Sequence, residues 1–275
     1  MVRSKIPLDA REMLRVRPKF KVSDEDAGIK PLSSGDKAGD KARTLELAQE
    51  IAALQNVFYA EHGRKLLVVL QGMDTSGKDG TVKGVFGAID PLGIRSVAFK
   101  APTTVEREHD FLWRIHSQVP GQGEVVIFNR SHYEDVLITR VHDWIDDAEG
   151  ERRMAHICDF ERMLAETGTV ILKFFLHISK DEQKKRLEER LADPKTHWKF
   201  DPNDLKEREF WGDYQTVYGE AINATDADHA PWYVIPSDSK THRNLAIANI
   251  VADTLRNMNL KYPDPHPEYA AIKVV

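Results

Sequence analysis

The sequence has very little cysteine and no long apolar run. Its single cysteine, Cys158, excludes an intramolecular disulfide and a Cys-rich zinc site. Because Ile157 and Phe160 lie close to it, we expect a buried thiol on a helix. The longest apolar runs, 66–70 and 170–176 with one interruption, are far shorter than the roughly 20 residues that span a bilayer. The first twenty residues have no signal-peptide core, so we expect a cytoplasmic protein with no membrane partner.

A strong excess of charge of one sign is also absent. The 275 residues include 39 Lys and Arg against 44 Asp and Glu, which gives a net charge of −5. Non-specific nucleic-acid binding depends on cations that neutralise phosphates, so we expect no nucleic-acid partner. A polyanionic substrate would instead need Lys and Arg side chains gathered at one place. With 41% apolar residues, the chain can build one large α/β domain.

Short apolar runs alternate with helical patterns along the chain. The predicted strands are 66–70, 97–100, 125–128, 170–176 and 233–235, and the predicted helices lie near 43–62, 78–89, 104–118, 152–166, 179–191, 204–222 and 240–258. Apolar strands separated by helices predict an α/β fold with a parallel five-stranded sheet sandwiched by helices. Such a sheet binds its ligand at the carboxyl ends of its strands. We expect residues 1–42 to form an arm without regular structure, and residues 43–275 to form the domain.

A glycine-rich segment, GMDTSGKDG, follows the first strand. It fits the phosphate-loop pattern G-x-x-x-x-G-K, with Asp79 where Ser or Thr is usual. In such a loop, backbone N–H groups surround a phosphate and Lys78 adds a positive charge. The alternative is a plain strand-to-helix turn. We predict phosphate or nucleotide binding by Gly72, Met73, Thr75, Ser76, Gly77, Asp79 and Gly80.

The sequence allows more than one role for two carboxylates of this segment. The hydroxyl that usually binds Mg²⁺ is missing after Lys78, and Asp74 can hold the ion through oxygen, directly or through water. The alternative for Asp74 is stabilisation of an Asx-type turn. For Asp79 we favour a helix cap.

The third predicted strand ends in NRSHYED, residues 129–135. A P-loop enzyme keeps its second metal-binding carboxylate at this place, and here Asn129 stands first while Glu134 follows. Arg130 can bind phosphate oxygens bidentately, or it can pair with a local carboxylate.

A charged helix, KDEQKKRLEERLADPKTHWK, follows the fourth strand. Arg186 and Arg190 are four residues apart and therefore share one helix face. The bland interpretation is a solvated face on which Glu182 supports Arg186. The position of the helix, in an insertion where related folds carry a closing lid, favours a functional interpretation instead.

These motifs together resemble the polyphosphate kinase 2 family, over about residues 43–262. The resemblance is carried, in order, by GMDTSGKDG, Pro102–Glu106, HDFLWR, FNRSHYEDV, FERML, the charged helix just described and APWYVIPSDSK. It implies a P-loop kinase fold similar to thymidylate kinase, with a lid near 179–205 and a basic channel for inorganic polyphosphate. It also implies dependence on Mg²⁺ and a homo-oligomer, either a dimer or a tetramer.

The resemblance also implies roles for single residues. Asp74 and Lys78 match the loop Asp and Lys of the family, Arg130 matches the Arg of its second motif, and Arg186 and Arg190 match its lid arginines. A large branch of the family reads DRSWYNR where this chain reads NRSHYED. The Asn129 and Glu134 pattern resembles the branch that accepts nucleoside monophosphates as well as diphosphates.

The implied activity is a reversible polyphosphate kinase reaction. The terminal phosphoryl group of polyphosphate would pass to ADP or AMP, with Mg²⁺ near Asp74 and Glu134. Since the attacking phosphate oxygen is already anionic, no general base is needed, and we expect packing or hydrogen-bonding roles for His109 and His132. The alternatives are an ATP-dependent nucleoside monophosphate kinase and a non-catalytic polyphosphate- or nucleotide-binding regulator.

Overall fold

A parallel five-stranded sheet forms the centre of the computed structural model, which describes residues 9–274. The strands are β1 Lys65–Gln71, β2 Ile94–Ala98, β3 Val125–Asn129, β4 Thr169–His177 and β5 Trp232–Pro236. Their order in the sheet is β2-β3-β1-β4-β5, and every neighbouring pair is parallel. The predicted α/β sheet and its five strands are thus confirmed.

Helices cover both faces of the sheet. They are α1 Ala10–Leu14, α2 Lys37–Glu61, α3 Lys78–Phe86, α4 Thr104–Arg107, α5 Trp113–His116, α6 Ile138–Val141, α7 Asp147–Glu166, α8 Lys180–Ala192, α9 Asn203–Glu207, α10 Trp211–Thr225 and α11 Lys240–Asn257. Short 3₁₀ turns occur at Asp24–Gly28, His132–Asp135, His197–Lys199, Arg208–Phe210 and Pro267–Ala271. No helix among residues 9–274 is both long and apolar enough to cross a bilayer.

Two predicted helices are each divided in the structure. The region 104–118 becomes α4 and α5, because the Asp110 carboxylate accepts the Leu112 N–H (2.9 Å) and forms a turn between them. The region 204–222 becomes α9 and α10, separated by the 3₁₀ turn Arg208–Phe210.

The core consists of two apolar layers, one on each face of the sheet. Leu66, Val68 and Leu70 of β1 pack in one layer with side chains of α2 and α11, whereas Leu67 and Val69 pack in the other with side chains of α7 and α10. All five are fully buried. This alternation is typical of a parallel sheet that is covered on both faces.

The N-terminal arm differs from its prediction. Residues 1–8 lie outside the described residues, but the remainder contains α1, a 3₁₀ turn and the first turns of α2, which begins at Lys37 after the Asp36 cap. The arm packs along β5, where the Val16 N–H donates to the Trp232 carbonyl (3.0 Å) and Arg15 pairs with Asp226 (2.8 Å). Contact with this edge strand stabilises a segment whose own sequence pattern is weak.

Cys158 is half-buried on α7 rather than fully buried as predicted. Its neighbour Ile157 occupies the core-facing position of this helix. Burial still raises the pKa of the Cys158 thiol, which disfavours a reactive thiolate.

Candidate active site

The phosphate loop connects β1 to α3 at the carboxyl edge of the sheet. Gly77 has φ 105° and Thr75 has φ 62°, and α3 begins at Lys78 directly afterwards. A Cβ atom on Gly72 would lie 2.6 Å from the Leu176 carbonyl oxygen, so only glycine permits this approach of the loop to β4. The strand–loop–helix arrangement predicted from GMDTSGKDG is present.

Lys78 turns back onto its own loop. Its Nζ donates to the Gly72 carbonyl at 2.6 Å, and the side chain is 9% exposed. Burial, followed by the positive charge of Arg130, lowers the pKa of Lys78 to about 8. A phosphate in the loop would supply the counter-charge that the backbone carbonyls provide only in part.

Arg130 pairs with two carboxylates. Its Nη2 lies 2.6 Å from Asp74 Oδ1, and its Nη1 lies 3.7 Å from Glu134 Oε2. Glu134 contributes most to raising the pKa of this guanidinium. Arg130 therefore pairs with local carboxylates in this structure, as the alternative interpretation held. The Arg130 side chain is nevertheless 40% exposed, so it can also contact a phosphate.

Asp74 and Glu134 converge at Arg130 from the loop and from the turn after β3. Gln71 fixes the Glu134 carboxylate by donating from Nε2 to Oε1 at 3.0 Å. Mg²⁺ in kinases commonly takes one or two carboxylates and completes its octahedron with water and substrate phosphates. The two carboxylates fit such an ion. Residues 9–274 contain no group of three or more His, Cys, Asp and Glu side chains arranged for a metal.

Arg186 is buried, although the sequence allowed a lid arginine facing the substrate or a solvated ion pair. Its Nε contacts Glu182 at 2.8 Å, as the ion-pair interpretation required, but the Arg186 residue is only 4% exposed. Its Nη1 donates to the Thr75 carbonyl (2.8 Å) and its Nη2 to the Ser237 carbonyl (2.6 Å). Arg186 thus attaches α8 to the phosphate loop.

Arg190 lies one turn further along α8 and is closer to solvent. Its Nη1 lies 3.4 Å from Asp204 Oδ2 and 3.2 Å from the Lys199 carbonyl, and its side chain is 26% exposed. Burial, followed by the charge of Asp74, raises the pKa of Asp204 to about 6. These contacts connect α8 to α9, through Asp204, and to the segment before α9, through Lys199.

Asp79 does not cap α3, so that prediction was wrong. Gly77 occupies the N-cap position and no side chain caps this helix. The Asp79 carboxylate instead accepts a hydrogen bond from Asn129 Nδ2 at 2.7 Å. The loop and the end of β3 are joined by this contact, because their strands are adjacent in the sheet.

Three further residues hold the loop and were not predicted. Gln71 contacts Glu134, Gln183 Nε2 donates to the Asp74 carbonyl (3.1 Å), and Arg243 Nη1 donates to the Ser76 carbonyl (3.1 Å). A polar side chain at the end of an apolar strand was a usable signal for Gln71. Gln183 and Arg243 lie far along the chain and carried no local signal.

Two cavities meet at the Asp74–Arg130 pair. The larger has a volume of about 580 Å³ and is lined by the loop, by seven cationic side chains and by six carboxylates. The cations are Lys78, Arg130, Arg186, Arg190, Lys199, Lys240 and Arg243. The smaller, about 140 Å³, is lined by the loop and by Glu134, Asp204, Glu207, Tyr214 and Tyr218. A groove rich in Lys and Arg and a mostly acidic, aromatic pocket are therefore both lined by Asp74 and Arg130.

Comparison with known proteins gives a consistent result. The sequence model described as "Polyphosphate kinase 2 (PPK2)" matches residues 34–263. The chain is 49% identical over 241 residues to the AMP/ADP-polyphosphate phosphotransferase of Meiothermus ruber, covering 86% of this chain and 90% of that protein. It is 38% identical to the ADP-polyphosphate phosphotransferase of Rhodopseudomonas palustris, covering 80% of each. The crystal structure of Polyphosphate Kinase 2 from Arthrobacter aurescens TC1 superposes with a TM-score of 0.93 at 46% identity, covering 98% of this chain and 96% of that chain.

Proposed function

The chain belongs to the polyphosphate kinase 2 family, and from this premise we propose that it transfers the terminal phosphoryl group of inorganic polyphosphate to ADP and to AMP, reversibly and with Mg²⁺. The observation that carries the proposal is the pair of cavities that meet at the phosphate loop, one with seven Lys and Arg side chains and one that is acidic and aromatic. A polyanionic donor and a nucleotide acceptor need two such sites with one shared reaction point.

The larger cavity suits the donor. Seven cationic side chains line this one groove against six carboxylates, on a protein whose net charge is −5, so cations that can bind a polyanion are gathered here. A chain of phosphates in this groove would lie near Arg190 and Lys199, which both line it.

The acceptor range follows from the turn after β3. Asn129 is neutral and donates a hydrogen bond to Asp79. An Asp at position 129 would add one negative charge beside the incoming phosphate. The Meiothermus ruber relative, whose name includes both AMP and ADP, supports the same range. A monophosphate must bring its only phosphate to the loop, where an extra carboxylate would repel it.

Phosphoryl transfer of this kind depends on position and charge more than on acid–base chemistry. Lys78 and Arg130 would neutralise the equatorial oxygens of the moving group, and Arg190 would hold the donor from the lid. Arg186 would keep the loop carbonyls fixed while this happens. Mg²⁺ held by Asp74 and Glu134 would supply further charge neutralisation on the phosphate oxygens.

A nucleotide assay tests this function against the ATP-dependent kinase. The protein is supplied with polyphosphate and Mg²⁺ and either ADP or AMP, and ATP and ADP are quantified. Polyphosphate-dependent formation of both products is expected, and removal of the divalent ion should stop it. Synthesis of ADP from ATP plus AMP without polyphosphate would instead favour the nucleoside monophosphate kinase, while no product at all would favour the regulator.

The assembly is also proposed rather than observed. The family resemblance implies a dimer or tetramer, and sedimentation at micromolar concentration measures it directly. The division into an arm of residues 1–42 and a catalytic domain of residues 43–275, with a lid near 179–205, stays a prediction that removal of the arm can test.

A further inference from the structure

Within residues 9–274, one guanidinium beside the phosphate loop hydrogen-bonds to neutral oxygens alone. Arg243 lies in the first turn of α11 and is 3% exposed. Its Nη1 donates to the Ser76 carbonyl (3.1 Å), and its Nε and Nη2 both donate to Asn244 Oδ1 (3.2 and 3.0 Å). The edge of the guanidinium that binds anions bidentately therefore faces only a side-chain amide.

Two glycines of the phosphate loop leave space for this guanidinium. A Cβ atom on Gly77 would lie 1.7 Å from Arg243 Nη1, and one on Gly80 would lie 2.9 Å from Nη2. Gly80 lies within α3, where glycine weakens a helix. Glycine at position 80 gives the Arg243 side chain room. A function for Arg243 would therefore explain why this helix contains a glycine here.

A second buried guanidinium, that of Arg186, lies close to Arg243. Arg186 donates to the same Ser76 carbonyl (3.3 Å), and burial together with the Arg186 charge lowers the pKa of Arg243 to about 10. A buried cation without an anionic partner is unfavourable. Arg243 also lines the larger cavity, as do Lys78 and Lys240, so an anion bound in that cavity would lie near it.

We propose that Arg243 is a donor-binding residue, which takes a polyphosphate oxygen on its Nε/Nη2 edge in place of Asn244 and sets the affinity for polyphosphate. This inference rests on the proposed function. It assigns the phosphate-loop side of the donor groove to α11, while Arg190 of α8 holds the opposite side. The bound anion then supplies the counter-charge that Arg243 lacks in the free protein.

The test is a steady-state comparison of Arg243→Gln with the native enzyme. The apparent KM for polyphosphate should rise at least about tenfold, as expected for a lost charge-assisted hydrogen bond, while the KM for ADP stays within about threefold. Arg256→Gln is the matched control, because Arg256 lies at the other end of α11 and pairs with Glu50 on the surface. It should leave both KM values unchanged.

Arg243→Lys separates charge from loop support, also if the Gln variant folds poorly. Lys keeps a cation but loses the fork, so it should recover part of the affinity for polyphosphate and not all of it. A Lys variant as impaired as the Gln variant, or equal rises of both KM values, would make Arg243 a loop support only and overturn the inference.

A readout without turnover tests the same idea. Polyphosphate alone should raise the melting temperature of the native protein and of Arg256→Gln, and should do so much less for Arg243→Gln. Native protein that makes no product from polyphosphate contradicts the proposed function, whatever the variants do. An active native enzyme with normal donor binding in Arg243→Gln contradicts only the role of Arg243.

Discussion

Replacement of Lys78 by Met should stabilise the ligand-free protein at neutral pH while it removes activity. The Lys78 ammonium is buried against loop carbonyls and near Arg130, which lowers its pKa from 10.5 to about 8. At about 1.4 kcal/mol per pH unit, this lowering corresponds to roughly 3 kcal/mol of unfavourable free energy in the folded state. Met fills a similar volume and carries no charge.

The hydrogen bond from Lys78 to the Gly72 carbonyl opposes this gain. Its loss removes about 1 kcal/mol, the usual net value of such a bond. The remaining stabilisation at pH 7 is therefore about 2 kcal/mol. Turnover should nevertheless fall at least about a hundredfold, because an oriented charge on the moving phosphoryl group is lost.

The difference in stability between the Met variant and the native protein should depend on pH. Between about pH 8 and 10.5 the unfolded chain binds more protons at Lys78 than the folded protein does, so the native protein gains stability as the pH rises. The advantage of the Met variant should accordingly be full below pH 8 and should vanish by about pH 10.5.

Urea unfolding of the ligand-free protein at pH 7.0 and pH 9.5 measures the effect. Lys83→Met is the control, since Lys83 is exposed on the same helix, and it should change stability by less than about 0.5 kcal/mol at either pH. A Lys78→Met variant that is less stable than the native protein at pH 7.0 would refute the reasoning, because Lys78 would then hold the loop together.

Three further predictions concern the rest of the site and its support. Glu161→Gln should lower the free energy of unfolding by about 3–5 kcal/mol, because Lys173 lies 2.6 Å from Glu161 in the core and would lose this anionic partner; exposed Glu166→Gln is the control in the same urea titration. Arg190→Ala should slow polyphosphate-dependent turnover with little change in melting temperature, and the reverse pattern would identify a structural ion pair with Asp204. Asn129→Asp should lower kcat/KM for AMP more than for ADP, and adding Asp79→Asn should restore part of the loss; equal losses for both acceptors would refute the role of Asn129.

The sequence was most informative where local pattern determines structure. The five strands and the phosphate loop could be predicted because apolar runs, a glycine-rich turn and a following helix are all encoded within a few residues. The proximity of Asp74 and Glu134 could also be predicted, because β1 and β3 both end at the same edge of a parallel sheet.

The rest depended on how distant elements pack. Arg186 could be placed on one helix face with Arg190, but whether that face would meet the loop carbonyls or the solvent depends on the docking of α8. Arg243 supports a loop 167 residues earlier in the chain, and no local pattern marks that contact. The arm was predicted without structure because its contacts with β5 stabilise it more than its own sequence does.

Isotope transfer tests the central claim most directly. Polyphosphate labelled with ³²P is incubated with ADP and Mg²⁺ in the absence of ATP, and the label in each nucleotide phosphate is measured over time. The account predicts that label enters the γ-phosphate of ATP at the rate at which terminal phosphates leave polyphosphate, and that Lys78→Met abolishes this entry. Label that stays in polyphosphate, or that moves only when unlabelled ATP is supplied, would contradict it.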